Sequence, residues 1–343
     1  MPCSSPADRR RGAPRRAAAP AAAAAALCCL TTLAACGGGG GSGAPIRVVI
    51  PPGSSMRAAA ESLDRAGVVR SARLFRAYAG ARGRDRTLKP GTYEFRRGAS
   101  YADLLSAMTG GKAVVHTITI PEGYALVQIV PLLARTIEAP PESVAAAVGD
   151  TVLRRRLDVP TPTLEGYLFP ATYKFSVGTT PRAAVEEMVR EFEKRWKPAW
   201  NDRLQAMAIS RHDIVTLASI VEKEARRPEE RSVIAAVYYN RLKRGMLLQA
   251  DPTVQYSLGK HVQRVYYKDL DVESPYNTYK HAGLPPGPIA SPGAASIEAA
   301  LYPANVPYLF FVAHPDGHHE FRTTFEEHRQ ARQAVERARG AGR

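Results

Sequence analysis

The spacing of apolar and polar positions changes several times along the chain, and each change marks an element. Residues 46–50, from Ile46 to Ile50, read as a strand stopped by Pro51-Pro52-Gly53. Ser54 or Ser55 can cap a helix carrying Ala59, Leu63 and Ala66, which Gly67 ends. A second helix with Leu74, Phe75 and Tyr78 stops near Gly80. Leu88-Lys89-Pro90-Gly91 turns into a strand through Thr92-Tyr93-Glu94-Phe95, Ser100 caps a short helix with Leu104, Leu105 and Met108, and 114–120 is a last strand. Strands and helices this short predict a small α+β module over 46–120. It carries no cluster of catalytic residue types, which suits binding or positioning.

Beyond Pro121 the pattern becomes helical, starting with 125–153, rich in Leu, Val and Ala. The aromatic loop Glu165-Gly166-Tyr167-Leu168-Phe169-Pro170 follows, then an amphipathic helix over 181–196 with Val185, Met188, Val189 and Phe192 at helical spacing. Ser210 and Asp213 make a capping-box-like start to the next helix. On it Leu217, Ile220 and Val221 define a stripe whose next position is Glu224, while Glu222 points across the helix. A carboxylic acid on a desolvated face has a raised pKa, stays protonated near neutral pH and can act as a general acid. The alternative is a buried ion pair or an edge position beside Arg226 and Arg227. A further helical stretch ends at Asn240-Arg241-Leu242 and Gly245. The rest is dense in turns: 248–256, Ser274-Pro275-Tyr276-Asn277-Thr278-Tyr279, 283–289 and Ser291-Pro292-Gly293. Loops this long in a compact domain are uncommon unless functional. Their Tyr, Asn, Gln and Thr content suits a carbohydrate groove, with flat rings for sugars and amides for hydroxyls.

With 45% hydrophobic and 23% charged residues, a wholly disordered chain and a multi-span membrane protein are both excluded. The net charge of +15 includes +4 from the five Arg and one Asp of the first 35 residues, leaving +11 to favour an anionic polymer or surface. All four cysteines (Cys3, Cys28, Cys29, Cys36) fall in the first 36 residues, so the body has no disulfide framework, Cys-ligated zinc or thiol nucleophile. Residues 1–36 have the layout of a secretory signal: Arg9, Arg10, Arg11, Arg15 and Arg16, then an alanine-rich apolar stretch, then Leu33-Ala34-Ala35-Cys36. That tetrad resembles a bacterial lipobox, which would lipidate Cys36; an uncleaved single span is the alternative. Either way the body, joined by a Gly-rich linker (37–45), is expected outside the cytoplasm, tethered to the cell (inner) membrane, and away from nucleic acid. No Walker A, G-x-S-x-G or G-x-G-x-x-G pattern occurs in the body. His314, His318 and His319 flank Pro315-Asp316-Gly317 and read as exposed histidines of a hairpin turn, so no metal site and no cofactor are expected. The basic end (331–343) reads as a solvated helix end.

Five motifs in order, Glu165–Pro170, Leu217-Ala218-Ser219-Ile220-Val221-Glu222-Lys223-Glu224, Leu248-Gln249-Ala250-Asp251-Pro252-Thr253-Val254, Tyr276–Tyr279 and Gly283-Leu284-Pro285-Pro286-Gly287-Pro288-Ile289, resemble those of the YceG-like (MltG) endolytic murein transglycosylases. The resemblance runs from about residue 46 to about residue 329. It implies an α+β fold: a LysM-like module (46–120), then a larger mixed α/β catalytic domain (121–330) with the catalytic glutamate on a helix. It further implies a lyase that cleaves the MurNAc–GlcNAc β-1,4 bond of peptidoglycan without water. Its product is a 1,6-anhydro end, its role is terminating glycan elongation, and peptidoglycan synthases are candidate partners. The family's glutamate maps to 222–224; the stripe favours Glu224, with Glu222 second. Gln249, Asp251, Tyr276, Asn277, Tyr279 and Glu165 are the expected substrate-groove residues. A muramidase-type hydrolase would need a second carboxylate, for which Asp251 leads Glu165 and Asp269; a non-catalytic peptidoglycan-binding scaffold is the other alternative. The lipobox departs from the family's uncleaved transmembrane helix, which leaves the anchor type open.

Overall fold

The computed structural model describes residues 42–341 apart from 52, 85, 86 and 260–264; the signal-like segment, with Cys36, lies outside the described residues. It is a mixed α+β structure. The first unit comprises β1 (Ser42–Ile50), α1 (Met56–Arg65), α2 (Ala72–Ala81), β2 (Gly91–Arg97) and α3 (Tyr101–Gly110). Strands β1 and β2 pair antiparallel, with Val48 opposite Tyr93. Ser55, Ser71 and Ser100 each accept the backbone N–H three residues on, so all three helices start on a serine cap. Leu63, Phe75, Tyr93, Leu104 and Met108 fill a core of their own.

Strand β3 (Val115–Thr119) corrects one expectation: it closes the first module in the sequence but pairs antiparallel with β4 (Thr172–Ser176). The alternation decides this, because Ile118 and Ile120 point into the second core. The two units are stitched where Val114 N–H donates to the Thr92 carbonyl (2.8 Å), Val177 N–H to Val114 (3.1 Å) and the Thr92 hydroxyl to the Val177 carbonyl, and again where Arg47 of β1 reaches Glu138 (3.3 Å).

The helical stretch after residue 125 is three helices, α4 (Leu126–Thr136), α5 (Pro141–Val148) and α6 (Thr151–Arg156). Pro140-Pro141 and the Asp150 cap interrupt it. Next come α7 (Pro181–Arg195), α8 (Pro198–Met207), α9 (Arg211–Glu224), α10 (Arg231–Lys243), α11 (Asp251–Ser257) and α12 (Ala294–Leu301). A hairpin of β5 (Phe310–Ala313) and β6 (His319–Arg322) and the final α13 (Phe325–Ala341) complete the fold.

Helix α9 is the axis of the second unit. Every residue from Ile214 to Val221 is buried, so it is enclosed on all sides rather than along one stripe. Helices α10, α11 and α12 pack around it. Its two buried hydroxyls are satisfied within the helix: that of Thr216 donates to His212 O (2.8 Å) and that of Ser219 to Thr216 O (2.7 Å). Ser219 also accepts the Ile289 N–H (3.0 Å), pinning the proline-rich loop to the helix.

The hairpin turn forms, but its histidines differ from the exposed trio expected. His319 is buried, its Nδ1 2.7 Å from Glu230 Oε2, whereas His314 and His318 stack at 4.0 Å beside Glu320 and Asp316. The basic end continues α13, whose Ala331 and Val335 bury against Val312.

Candidate active site

Glu224 is the last residue of α9, where the helix dipole opposes a negative charge. Its side chain is partly buried, and Oε1 accepts a hydrogen bond from the Tyr238 hydroxyl (3.1 Å). Burial, and next the charge of Asp251, push its pKa up to about 7; the Tyr238 hydrogen bond and the guanidinium groups of Arg241 and Arg226 hold it down. The carboxyl is therefore poised to be protonated or ionised near neutrality, as an acid that must later serve as a base requires.

Asp251, exposed at the start of α11, accepts the Tyr279 hydroxyl at 2.6 Å. The structure thus gathers Glu224, Asp251 and Tyr279, three expected site residues from segments up to 55 positions apart. It adds two that the sequence reading missed, Tyr238 and Arg241 of α10. Arg241 is buried and spends its guanidinium on three backbone carbonyls: Leu309 (2.7 Å), Leu248 (2.8 Å) and Leu247 (3.4 Å). The available signal was their spacing, three apart on one face of α10, just before the Gln249–Asp251 segment that Arg241 clamps.

Glu222 has different work. It does point away from the Glu224 stripe, but its side chain is only 7% exposed, because the start of α12 covers that side. It accepts the Gly293 N–H (3.0 Å), and Arg231 lies 3.7 Å away while bonding Ser296. Glu122 packs into the same corner, its pKa raised by burial and by Glu222. These contacts bind α9 to the start of α12.

Asn277 is fully buried; its Nδ2 donates to Leu270 and Val272 carbonyls (2.8 and 2.9 Å) and its Oδ1 accepts the Tyr279 N–H (3.0 Å). It shapes the loop that presents Tyr279. Gln249 is exposed beside Asp251 in a left-handed conformation (φ 50°), its N–H bonded to Thr278 O. Asp269 caps its own turn through the Tyr266 N–H and Tyr276 packs on Tyr256 at 4.8 Å.

Glu165 lies at a cavity of about 370 Å³ walled by Ala125, Leu126, Val127, Pro252, Tyr256 and Ile289. Both its oxygens accept the Leu126 N–H (3.1 and 3.0 Å), and the Tyr256 hydroxyl also donates to it. Burial raises its pKa to about 7. It thereby ties α4 to α11. Lys223 and Pro252, neighbours of Glu224 and Asp251 in sequence, line the same cavity.

Acids whose pKa rises on folding make stability pH-dependent. The folded pKa of Glu224, about 7, lies above the unfolded value of 4.5, so its favourable contribution is complete below pH 4.5 and is lost as pH rises through 7. Glu224→Gln should match the wild type in stability at pH 4.5 and exceed it at pH 8 by on the order of 1–2 kcal/mol, allowing for partial exposure. Denaturant titrations at the two pH values check this; an equal difference at both would refute it.

The YceG-like family model matches residues 48–334. The endolytic murein transglycosylase of Bacillus subtilis (strain 168) is 36% identical over 306 residues, 84% of this chain and 84% of that protein. That of Streptococcus pneumoniae serotype 2 is 33% identical over 299 residues, 78% of this chain; the match spans about half (54%) of the pneumococcal protein. The crystal structure of a putative YceG-like protein from Listeria monocytogenes superposes with a TM-score of 0.59 at 36% identity, covering 84% of this chain and all of the other. With the match running through both units and every site residue named above, the chain belongs to the YceG-like family.

Proposed function

We propose that this protein is an endolytic peptidoglycan lytic transglycosylase that cleaves the MurNAc–GlcNAc β-1,4 bond of nascent strands, leaves 1,6-anhydro-MurNAc ends and so terminates elongation. The observation that carries this is Glu224, a carboxyl with a pKa of about 7 beside Tyr238, Arg241, Asp251 and Tyr279. The names of its relatives support the same reading. Protonated Glu224 gives its proton to the glycosidic oxygen as the C1–O bond breaks and the bonding pair leaves with that oxygen. The resulting carboxylate takes the proton of the MurNAc C6 hydroxyl, whose oxygen closes onto C1. No water is consumed, and the carboxyl regains its proton. Residues Gln249, Tyr279 and Asp251 would border the strand, and the Glu165 cavity would accept an adjoining part of it.

Asp251 favours a second reading, a muramidase-type hydrolase in which it activates water opposite Glu224. Mass spectrometry of fragments released from intact peptidoglycan by residues 44–343 separates the two. We expect anhydro ends, retained at reduced rate in Asp251→Asn. Hydrated ends that vanish in that variant would make the protein a hydrolase, and no fragments at all would leave a glycan-binding scaffold. In the same reading the first unit is a LysM-like module that holds glycan. Residues 1–36 anchor the body outside the cytoplasm on the inner membrane, by lipidated Cys36 or a single span, near the synthases whose strands it cuts.

A further inference from the structure

We propose that Tyr238 is a positioning residue for Glu224: its hydroxyl fixes Oε1 as the accepting oxygen and reserves Oε2 to carry, deliver and retrieve the proton. The inference rests on the reading of Glu224 as acid and base. Tyr238 is 1% exposed, and its ring stands edge-on to Phe311 at 6.1 Å, so the hydroxyl has little freedom to leave the carboxyl. Phe311 in turn meets the ring of His319, which Glu230 holds, so the hairpin braces the tyrosine from behind. Burial keeps the phenol protonated far above neutral pH, which makes it a donor in every state of the reaction. An oxygen that already accepts a hydrogen bond along that direction is a poor place for the acidic proton, which leaves Oε2.

The carboxyl has to alternate between two forms, and its surroundings serve both. Asp251 from α11 favours the protonated form, together with burial. Tyr238 and Arg241 from α10 and Arg226 beyond α9 favour the carboxylate that exists after proton transfer; Tyr279, from the loop, is bonded to Asp251. Arg241 has no carboxylate partner in an ion pair among the described residues, so its charge is not cancelled locally. A fixed hydroxyl and a fixed cation stabilise the ion without reorganising, which is the form of electrostatic assistance that lowers barriers most.

The neighbouring residue supplies the control. Tyr239 donates its hydroxyl to Ala300 O (2.9 Å) on α12, not to Glu224. The experiment compares pH profiles of kcat/KM on peptidoglycan strands for the wild type, Tyr238→Phe and Tyr239→Phe, with thermal unfolding of each. Tyr238→Phe should lower kcat roughly tenfold or more with little change in KM. It should also move the alkaline limb to higher pH, because the lost hydrogen bond had favoured the carboxylate. Tyr239→Phe should melt earlier yet keep the wild-type limb. If Tyr238→Phe does not fold, site-specific 3-fluorotyrosine at 238, a stronger donor of almost the same bulk, should move the limb to lower pH. A limb that stays in place in either substitution overturns the inference. Retained cleavage in Glu224→Gln would instead overturn the reading of Glu224 on which it stands.

Discussion

Glu224→Gln is expected to reduce glycan cleavage by about 10²–10⁴-fold while leaving the protein folded and bound to its substrate. The amide keeps the shape of the carboxyl, and its oxygen can still accept the Tyr238 hydroxyl, so the burial around α9 and α10 is undisturbed. The substitution removes the proton that the leaving oxygen needs and the base that the attacking hydroxyl needs. One change therefore disables both halves of the reaction. Rates of fragment release, read beside pelleting of the protein with insoluble peptidoglycan, distinguish this from a binding defect. Equal loss of both would mean that Glu224 holds substrate instead of transferring protons. Glu222→Gln should act differently, because its partners are the Gly293 N–H and Arg231. Damage there should appear in stability before it appears in the rate per folded molecule.

Among the described glycines, Gly166→Ala should be one of the most destabilising single-methyl additions; the closer approach at Gly293 is to the end of the exposed, flexible Glu122 side chain. Gly166 sits at φ 84°, and a Cβ there would lie 2.4 Å from Pro288 Cβ, 2.7 Å from Pro288 Cγ and 3.3 Å from Val215 Cγ1. The left-handed conformation costs about 1 kcal/mol, and forcing a methyl into the proline ring about 1–3 kcal/mol more. The expected drop in Tm is roughly 5–15 °C. Gly83→Ala isolates the conformational part, since Gly83 has φ 63° with nothing within 4 Å of the added methyl. Pro288→Gly in the Gly166→Ala background should recover most of the clash. No recovery would show that backbone strain, and not the contact, dominates. Activity should fall along with stability, because Gly166 follows Glu165 and Pro288 precedes Ile289, and both of those residues line the cavity beside the site.

Much of the architecture is written in local chemistry. Serines before apolar helical runs start α1 and α3, glycine and proline punctuate the first unit, and the spacing of Val185, Met188, Val189 and Phe192 defines α7. Helix α11 is harder to read, since Asp251-Pro252 also suits a turn; proline at the second helical position is compatible with helix, and only the hydrogen bonds of the next residues distinguish the two. Strand β3 cannot be assigned a partner from its own residues, because pairing is a relation with a strand more than 50 positions away. The stripe on α9 leads to Glu224, but the helix is buried all round, so the stripe understates how enclosed both Glu222 and Glu224 are.

The sequence by itself determined which residue types are available and where helices such as α1, α3, α7 and α9 begin, because caps, turns and periodicity are short-range properties of the chain. It also singled out a carboxyl on the apolar helix and the loops rich in Tyr and Asn. Only the tertiary structure decided what each acid does. Of the three acids in these motifs, Glu222 is paired with Arg231, Glu224 faces Tyr238 and Asp251, and Glu165 caps the start of α4, none of which their sequence positions reveal. The difference arises because a carboxyl's protonation depends on desolvation and on charges within a few ångströms, and those neighbours come from α10, α11 and α12, which only folding brings together.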